Sequence, residues 1–397
     1  MTAPMVMLDA TATDGRYHRQ ELISWWDQSR LRNARVLVVG AGALGNEIVK
    51  SLALLGVGHL DIVDMDEVEH ANLARGVLFR DGDEGRPKAE VIAAAVGELN
   101  PDVTAVAHTV PVQQLGLGFL NGVDLVIAGL DNREARLWVG QSCRKLGQYW
   151  VDGAIEGLRG LVRVFLPEGA CYECTLGDMD RKIMAQRRAC ALLSAEEMEA
   201  GKVPTNATTA SIIAAIEVQE AVKLLVGRSD LLALRNSALM FVGETLDTYQ
   251  VTYTEDEFCP SHDRYEDLIP FPVTAETSLA EVVTAGHIRL GGHLDAVELE
   301  DDLIVASRCG SCGQHAPVLR SLRSLRPGDG LCPACGEELT LDARRVLEPT
   351  DKILDARLLD LHLADRDVIT VRVGSRRAHF ALSPALPAPG ISQEGSR

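Results

Sequence analysis

A short β-rich run, Arg35-Val-Leu-Val-Val39, leads without a break into Gly40-Ala-Gly-Ala-Leu-Gly45. Residues 46–55 have a helical pattern that stops at Gly56, and Leu60-Asp-Ile-Val-Asp64 is a second apolar strand. Strand, glycine turn, helix and strand within about thirty residues form the opening unit of a doubly wound α/β sheet. Gly40, Gly42 and Gly45 let backbone amides approach a phosphate, and the start of the following helix favours negative charge. Asp64 follows Gly45 by 19 residues, the usual place for a carboxylate that holds a ribose. The unit points to a nucleotide site, with a purely structural turn as the alternative, and it does not separate NAD from ATP.

The rest of the chain extends the same pattern. Residues 16–32 carry Leu22, Ile23, Trp25, Trp26 and Leu31 at roughly helical spacing, residues 89–99 form a helix, and 123–128 and 161–166 are apolar strands. Residues 205–226 are Ala-rich and helical up to Gly227. Strands alternating with helices predict a mostly parallel sheet covered on both faces. After residue 262 the composition shifts to short strands, turns and acidic segments, Val297-Glu-Leu-Glu-Asp-Asp302 being the densest. The expected organisation is a disordered N-terminus (1–15), a nucleotide domain (16–263), a second domain (264–383) and a Pro/Gly/Ser-rich disordered tail (384–397).

A length of 397 residues with 46% hydrophobic and 24% charged residues is enough for two or three packed domains and excludes general disorder. The formal charge of -18 argues against sequence-independent nucleic-acid binding, which needs a positive footprint. No apolar run reaches the length of a membrane span, and residues 1–14 lack a cationic patch followed by an apolar core, so neither membrane insertion nor secretion is expected. Of nine cysteines, six fall in CxxC pairs: Cys171 with Cys174, Cys309 with Cys312, and Cys332 with Cys335. Cys259 and His262 make a CxxH, leaving Cys143 and Cys190 single. Paired thiols in a long chain suggest metal sites and a reducing cytoplasm rather than disulfides.

Further residues follow in order. Asp64-Met-Asp66 precedes Asn72-Leu-Ala-Arg75, then Gly85-Arg-Pro-Lys88-Ala, then Gly129-Leu-Asp131-Asn132-Arg133; Arg16-Tyr-His-Arg19-Gln20 precedes the first strand. Together these motifs, over residues 16–262, resemble the ubiquitin-activating superfamily of ThiF/MoeB-like adenylyltransferases. That resemblance implies a Rossmann-like adenylation domain that uses ATP and magnesium to adenylylate the C-terminal glycine carboxylate of a β-grasp protein. It implies that Asp64 holds the ribose and Asp131 binds magnesium, that Arg75 and Lys88 neutralise the phosphates with Asn72 assisting, and that Arg16 reaches the partner's site in a homodimer. Asp66 and Asn132 join the nucleotide-binding set; turn shaping by Asp66 and helix capping by Asp131-Asn132 are the alternatives. Gly76 departs from the family, which often has Gln after the arginine.

The resemblance also groups Cys171, Cys174, Cys259 and His262 around a structural zinc, with His in place of the usual fourth Cys. The four ligand positions would then all be protein, which suits a staple rather than a catalyst. Cys309, Cys312, Cys332 and Cys335 form a second zinc set on spacing alone: 19 residues separate the pairs, and Gly313 and Gly336 follow them as in zinc knuckles. The second domain is therefore a small α+β zinc-ribbon domain, with His315 outside the ligand set. Cys143 belongs to a core helix. Cys190, after Arg187 and Arg188 in the crossover segment 175–205, matches the place where ubiquitin-activating enzymes carry their thioester cysteine; the two arginines favour its thiolate, and a small buried hydrophobe is the alternative.

The leading expectation is an activating enzyme for a ubiquitin-like protein ending in Gly-Gly, which forms a thioester on Cys190 and hands it to a conjugating enzyme. The alternative is a sulfur-carrier adenylyltransferase for thiamin or molybdopterin synthesis. A non-enzymatic scaffold would not need Asp64, Arg75, Lys88 and Asp131. An NAD-dependent oxidoreductase would not need the last three in this order.

Overall fold

A computed structural model describes residues 15–177, 204–325, 327–363 and 366–384. Cys190 and most of the crossover segment lie outside the described residues, as do residues 1–14 and 385–397 of the two terminal segments expected to be disordered; Pro384 instead ends a strand.

The first sheet contains eight strands: β1 (Arg35–Val39), β2 (His59–Val63), β3 (Thr104–His108), β4 (Leu125–Ala128), β5 (Trp150–Glu156), β6 (Arg159–Phe165), β7 (Ser237–Val242) and β8 (Asp247–Thr252). Their order is β3-β2-β1-β4-β5-β6-β7-β8. The helices, in chain order, are α1 (His18–Glu21), α2 (Gln28–Asn33), α3 (Ala43–Leu55), α4 (Lys88–Leu99), α5 (Leu117–Leu120), α6 (Arg133–Leu146), α7 (Ala207–Leu225) and α8 (Leu279–Leu290).

Alternation along β1 explains the double winding. Val36 and Val38 face one core with Ile48 and Leu52 of α3, Ile92 of α4 and Ile213 of α7. Leu37 and Val39 face the other with Phe119, Leu120, and Leu137 and Val139 of α6. A strand apolar on both sides needs cover on both sides. Helix ends follow local chemistry: α3 stops at Gly56, which is left-handed at φ 74°, and Asn206 caps α7 by accepting from the Thr209 amide.

Two expectations are refined. The sheet is mixed, parallel in only four of its seven pairings: β3 to β5 in the strand order pair in parallel, but β5-β6, β6-β7 and β7-β8 are antiparallel. The β5–β6 and β7–β8 connections are tight turns, which only antiparallel pairs can use. Residues 16–32 form two short helices rather than one, because the chain breaks at residues 22–27 and restarts where Asp27 accepts from the Arg30 amide. Among the described residues no helix is long and apolar enough to cross a membrane.

The second sheet contains β9 (Leu268–Val273), β10 (Ala296–Cys309), β11 (His315–Ser321), β12 (Leu339–Leu347), β13 (Val368–Val373) and β14 (Arg376–Pro384). Its order is β11-β10-β13-β14-β9, with β12 on β10. Leu279 and Val282 of α8 pack on Val371, Phe380 and Leu382. β10 is long enough to serve two partners in turn along one edge, β13 with its first half and β11 with its second, while β12 pairs with both halves along the other.

The two sheets meet around α5. Gly116 and Gly118 lie so close to the Arg366 carbonyl that a Cβ on either would sit 2.6 Å from it. The buried Asp367 accepts from the Leu117 amide at 3.3 Å and from Arg323 Nη1 at 3.2 Å, and Arg323 Nη1 also donates to the Gln113 carbonyl. Lys145 Nζ lies 2.7 Å from Glu300. Removing one partner from a buried ion pair strands the other, at a cost of about 3–5 kcal/mol. Arg323→Met should therefore lower the unfolding free energy measured in urea by an amount of that order; an unchanged free energy would show that Asp367 is solvated or protonated at no cost.

Candidate active site and metal centres

The glycine turn is shaped by what it touches. Gly40 has φ 95°, and a Cβ there would meet the Gly129 carbonyl at 2.7 Å; a Cβ on Gly45 would meet the Gly40 carbonyl at 1.9 Å. A Cβ on Gly42 would meet nothing within 4 Å, so its smallness serves no packing inside the chain and leaves the amide side of the turn open.

Four other segments converge on this turn. Asp64, at the end of β2, is half-buried; its Oδ2 accepts from the Ala41 amide at 2.6 Å and its Oδ1 from the Asp66 amide at 2.8 Å. Burial raises its carboxyl above the ordinary value, against the Lys88 charge and these two amides. Lys88 opens α4, and its Nζ lies 2.8 Å from Asp66 Oδ2. Asp66 thus both shapes the turn and holds the lysine. Asn46 is fully buried; its side chain donates to the Ala41 and Gly42 carbonyls and accepts from the Leu78 amide at 2.9 Å. That bond ties the segment bearing Asn72 and Arg75 to the glycine turn. Sequence reading missed Asn46; a buried-side polar residue directly after the last turn glycine was the available signal.

Asn72 is buried and accepts from the Glu69 amide, closing a short 3-10 turn. Arg75 is half-buried and Asp131 exposed, and among the described residues neither side chain has a hydrogen-bonded or charged partner. Asn132 caps α6 by accepting from the Ala135 amide at 2.7 Å, so the capping alternative holds at that position. Gly76 faces the Phe79 ring, which a Cβ would meet at 2.3 Å; the ring occupies the space that a glutamine would need. Arg16 stands apart. It donates to the Leu99 carbonyl at the far end of α4 from Lys88, about 17 Å along a twelve-residue helix, so it does not join the site of its own chain.

Behind the Asp131 loop lies a buried charge cluster. Asp152 accepts from Arg136 Nε at 3.0 Å and Arg163 Nε at 2.8 Å, and Arg136 Nη2 donates to the Leu130 and Gly153 carbonyls. Glu217 of α7 is fully buried against Gly153, with neither oxygen hydrogen-bonded. Burial first, and then the Asp152 charge, push its carboxyl well above the ordinary glutamate value of 4.5.

Two groups can each hold a metal ion: Cys171, Cys174, Cys259 and His262, and Cys309, Cys312, Cys332 and Cys335, with the ligand atoms of each within 4.8 Å of one another. In the first, Cys171 Sγ lies 3.7 Å from Cys174 and 3.6 Å from Cys259, and His262 Nε2 lies 3.2 Å from Cys174 Sγ. Tetrahedral zinc with bonds of about 2.3 Å separates sulfurs by about 3.8 Å. His262 Nδ1 lies 3.6 Å from Glu255, which orients the ring so that Nε2 faces the sulfurs. In the second group, Cys309 and Cys335 lie 3.4 Å apart and Cys312 and Cys332 3.6 Å. Gly313 and Gly336 adopt φ of 73° and 78°, and their amides donate to the Cys309 and Cys332 carbonyls, the turn that a knuckle needs. His315 starts β11 outside the cluster, and Cys143 is buried in α6.

The sequence profile of the ThiF family matches residues 16–260. The chain belongs to the ThiF family, within the ubiquitin-activating superfamily. It is 35% identical over 263 residues to the SAMP-activating enzyme E1 of Haloferax volcanii, covering 64% of this chain and 90% of that protein. It is 40% identical over 156 residues to the NEDD8-activating enzyme E1 catalytic subunit of Arabidopsis thaliana, covering 36% of this chain but only 34% of that relative's length. Among solved structures, E. coli MccB with ATP aligns at a TM-score of 0.53 and 22% identity over 64% of this chain and 75% of that one, a likeness of fold. The ThiF-family match stops at residue 260, so the second sheet and its cysteine cluster lie outside it.

Elemental analysis of this ThiF-family protein is expected to find two zinc ions per chain. Cys174→Ser should lose one and Cys312→Ser the other; a metal content untouched by either change would sink the assignment. A second expectation concerns Glu217. A group whose pKa rises on folding contributes most stability below its unfolded value, and that stability is lost as pH rises towards the folded value. Glu217→Gln cannot ionise, so its melting temperature should match the wild type in acid and exceed it increasingly from about pH 5 to 8. A constant offset across that range would mean that Glu217 is not protonated in the fold.

Proposed function

We propose that this protein activates a ubiquitin-like protein by ATP-dependent adenylylation of its C-terminal glycine carboxylate. The observation that carries this reading is the convergence of Asp64, Lys88, the Asn72–Arg75 segment and the Asp131 loop on one open glycine turn. A dehydrogenase has no use for that set of charges; a phosphate-transfer site does. The partner's carboxylate attacks the α-phosphorus of ATP, the bond to the bridging oxygen breaks, and pyrophosphate leaves with the electron pair. Arg75, free of other partners, and Lys88, held in place by Asp66, balance charge that builds on the phosphates. The open turn presents its amides to the same groups. Asp64 accepts from the ribose hydroxyls, kept rigid by the two amides it already holds. Asp131 would hold magnesium, whose charge would screen the leaving pyrophosphate.

The next step in this reading is attack of Cys190 on the adenylate, releasing AMP and leaving the partner as a thioester for a conjugating enzyme. Arg16 serves the second copy of a homodimer, in keeping with its distance from its own chain's Lys88. Both zinc groups are closed staples, and a reducing cytoplasm suits their thiols.

The test is intact mass of the protein after mixing with ATP, magnesium and β-grasp proteins ending in Gly-Gly. A reductant-labile adduct absent from Cys190→Ala supports thioester formation. AMP on the partner's terminus with no cysteine adduct supports only the adenylylation half. Asp131→Ala should slow ATP–pyrophosphate exchange on the order of 10²–10³-fold; exchange at the wild-type rate would remove Asp131 from the machinery.

A further inference from the structure

The strand order sets the direction in which a bound nucleotide runs. The glycine turn ends β1 and the Asp131 loop follows β4, so phosphates lie over that switch point. Asp64 ends β2, on the other side of β1. A ribose held there leaves the base on the far side of β2, at the carboxyl end of β3. The two strand ends are joined directly, since the Asp64 amide donates to the His108 carbonyl at 3.1 Å.

Just beyond His108 a cleft opens between the two sheets. Thr109, Val110 and Gln114 line it on the nucleotide side, and Arg320, Ser324 and His362 on the side of the second sheet; its volume is about 520 Å³. Small-ligand sites commonly have this size and this position between domains. The two arginines at the cleft differ. Arg323 is fully engaged, with Asp367, the Gln113 and Glu300 carbonyls and, at 3.5 Å, Asp301. Arg320 donates through Nη2 to the Ser324 carbonyl at 3.1 Å and has Asp329 3.9 Å from Nη1. Its Nε is shielded from solvent and has no hydrogen-bond partner. A planar guanidinium that is pinned at one edge and about one-third exposed where it lines the cleft suits the face of a heteroaromatic ring.

We infer that this cleft receives the base of the nucleotide and that the second domain supplies Arg320 to it. The inference rests on the ATP reading above and extends it. Nucleotide affinity then depends on the docking of the zinc-bearing domain, which Arg323 and Asp367 hold in place, and Arg320 is a binding residue outside the region that matches the family.

The experiment is calorimetric titration of the full chain with Mg-ATP and, as a probe lacking base and ribose, with magnesium tripolyphosphate. Arg320→Ala should raise the Kd for ATP about 3–10-fold and leave that for tripolyphosphate unchanged. Ser324→Trp, which fills the cleft from a different side chain, should weaken ATP at least as much and again spare tripolyphosphate. Lys88→Ala separates the two claims, because it should weaken both ligands whether or not the base lies in the cleft. Wild-type ATP affinity in Arg320→Ala and Ser324→Trp overturns the inference while leaving the ATP reading intact. So does an equal loss for ATP and tripolyphosphate in Arg320→Ala, which would make Arg320 a general phosphate attractor. A wild-type protein that binds neither ligand, or a Lys88→Ala protein that binds both normally, overturns the ATP reading and the inference with it.

Discussion

The closeness of the turn after β1 to the loop after β4 is the constraint on which the rest of the site depends. Gly40 approaches the Gly129 carbonyl, Gly45 approaches the Gly40 carbonyl, and Gly129 approaches Leu44. No side chain fits at these contacts, so three glycines fix how near the switch point of the sheet can come to closing. Asn46 then binds the next segment to the turn through Leu78, and Asp64 binds the end of β2 to it through Ala41. Of the charged side chains of the site, Asp66 and Asp131 are exposed, Asp64 and Arg75 half-buried and Lys88 buried, and the backbone beneath them is held by hydrogen bonds to Asn46 and Asp64. That is the arrangement in which preorganised charge acts most effectively on a developing anion.

A chain with a net charge of -18 must still bury some carboxylates, and it treats them in three ways. Asp152 is paired with two arginines, one of which also supports the Leu130 carbonyl next to Asp131. Asp367 is paired with Arg323 across the domain joint. Glu217 has no pair and is held towards its neutral form by burial. The first ties together the consecutive elements α6, β5 and β6, and the second joins segments far apart in sequence. The third adds no negative charge beside the buried Asp152.

The cysteine clusters join distant segments in the same way. Cys171 and Cys174 follow β6, while Cys259 and His262 follow β8, so one metal-sized cluster closes a loop of more than eighty residues at the antiparallel end of the first sheet. Linking so long a loop removes more chain entropy from the unfolded state than linking a short one. The second cluster sits at the tip of β10, where two tight turns bring four sulfurs together without a hydrophobic core beside them.

Much of this was legible in the sequence because it is local. The strand–glycine turn–helix unit, Asp64 at its fixed offset, the helix end at Gly56 and the second ligand set are patterns of neighbouring residues with one physical solution, whereas the first ligand set, 88 residues across, was grouped by the family resemblance. Alternating apolar residues gave β1 two buried faces and so required helices on both sides. What is not local was invisible or misread. Whether β6 runs parallel or antiparallel to β5 depends on the short turn between them and on what covers the sheet, not on the composition of either strand. The unpaired burial of Glu217, the Asn46 bond to Leu78, the Arg323–Asp367 joint and the cleft beside Arg320 each join residues from elements distant in the chain. The sequence by itself determined the chemistry available, a nucleotide turn with its charges and two sets of metal ligands, because those depend on spacing. Only the tertiary structure decided which charges are buried, which are free to act, and which part of the second domain faces the nucleotide end of the sheet, because those depend on how distant segments pack.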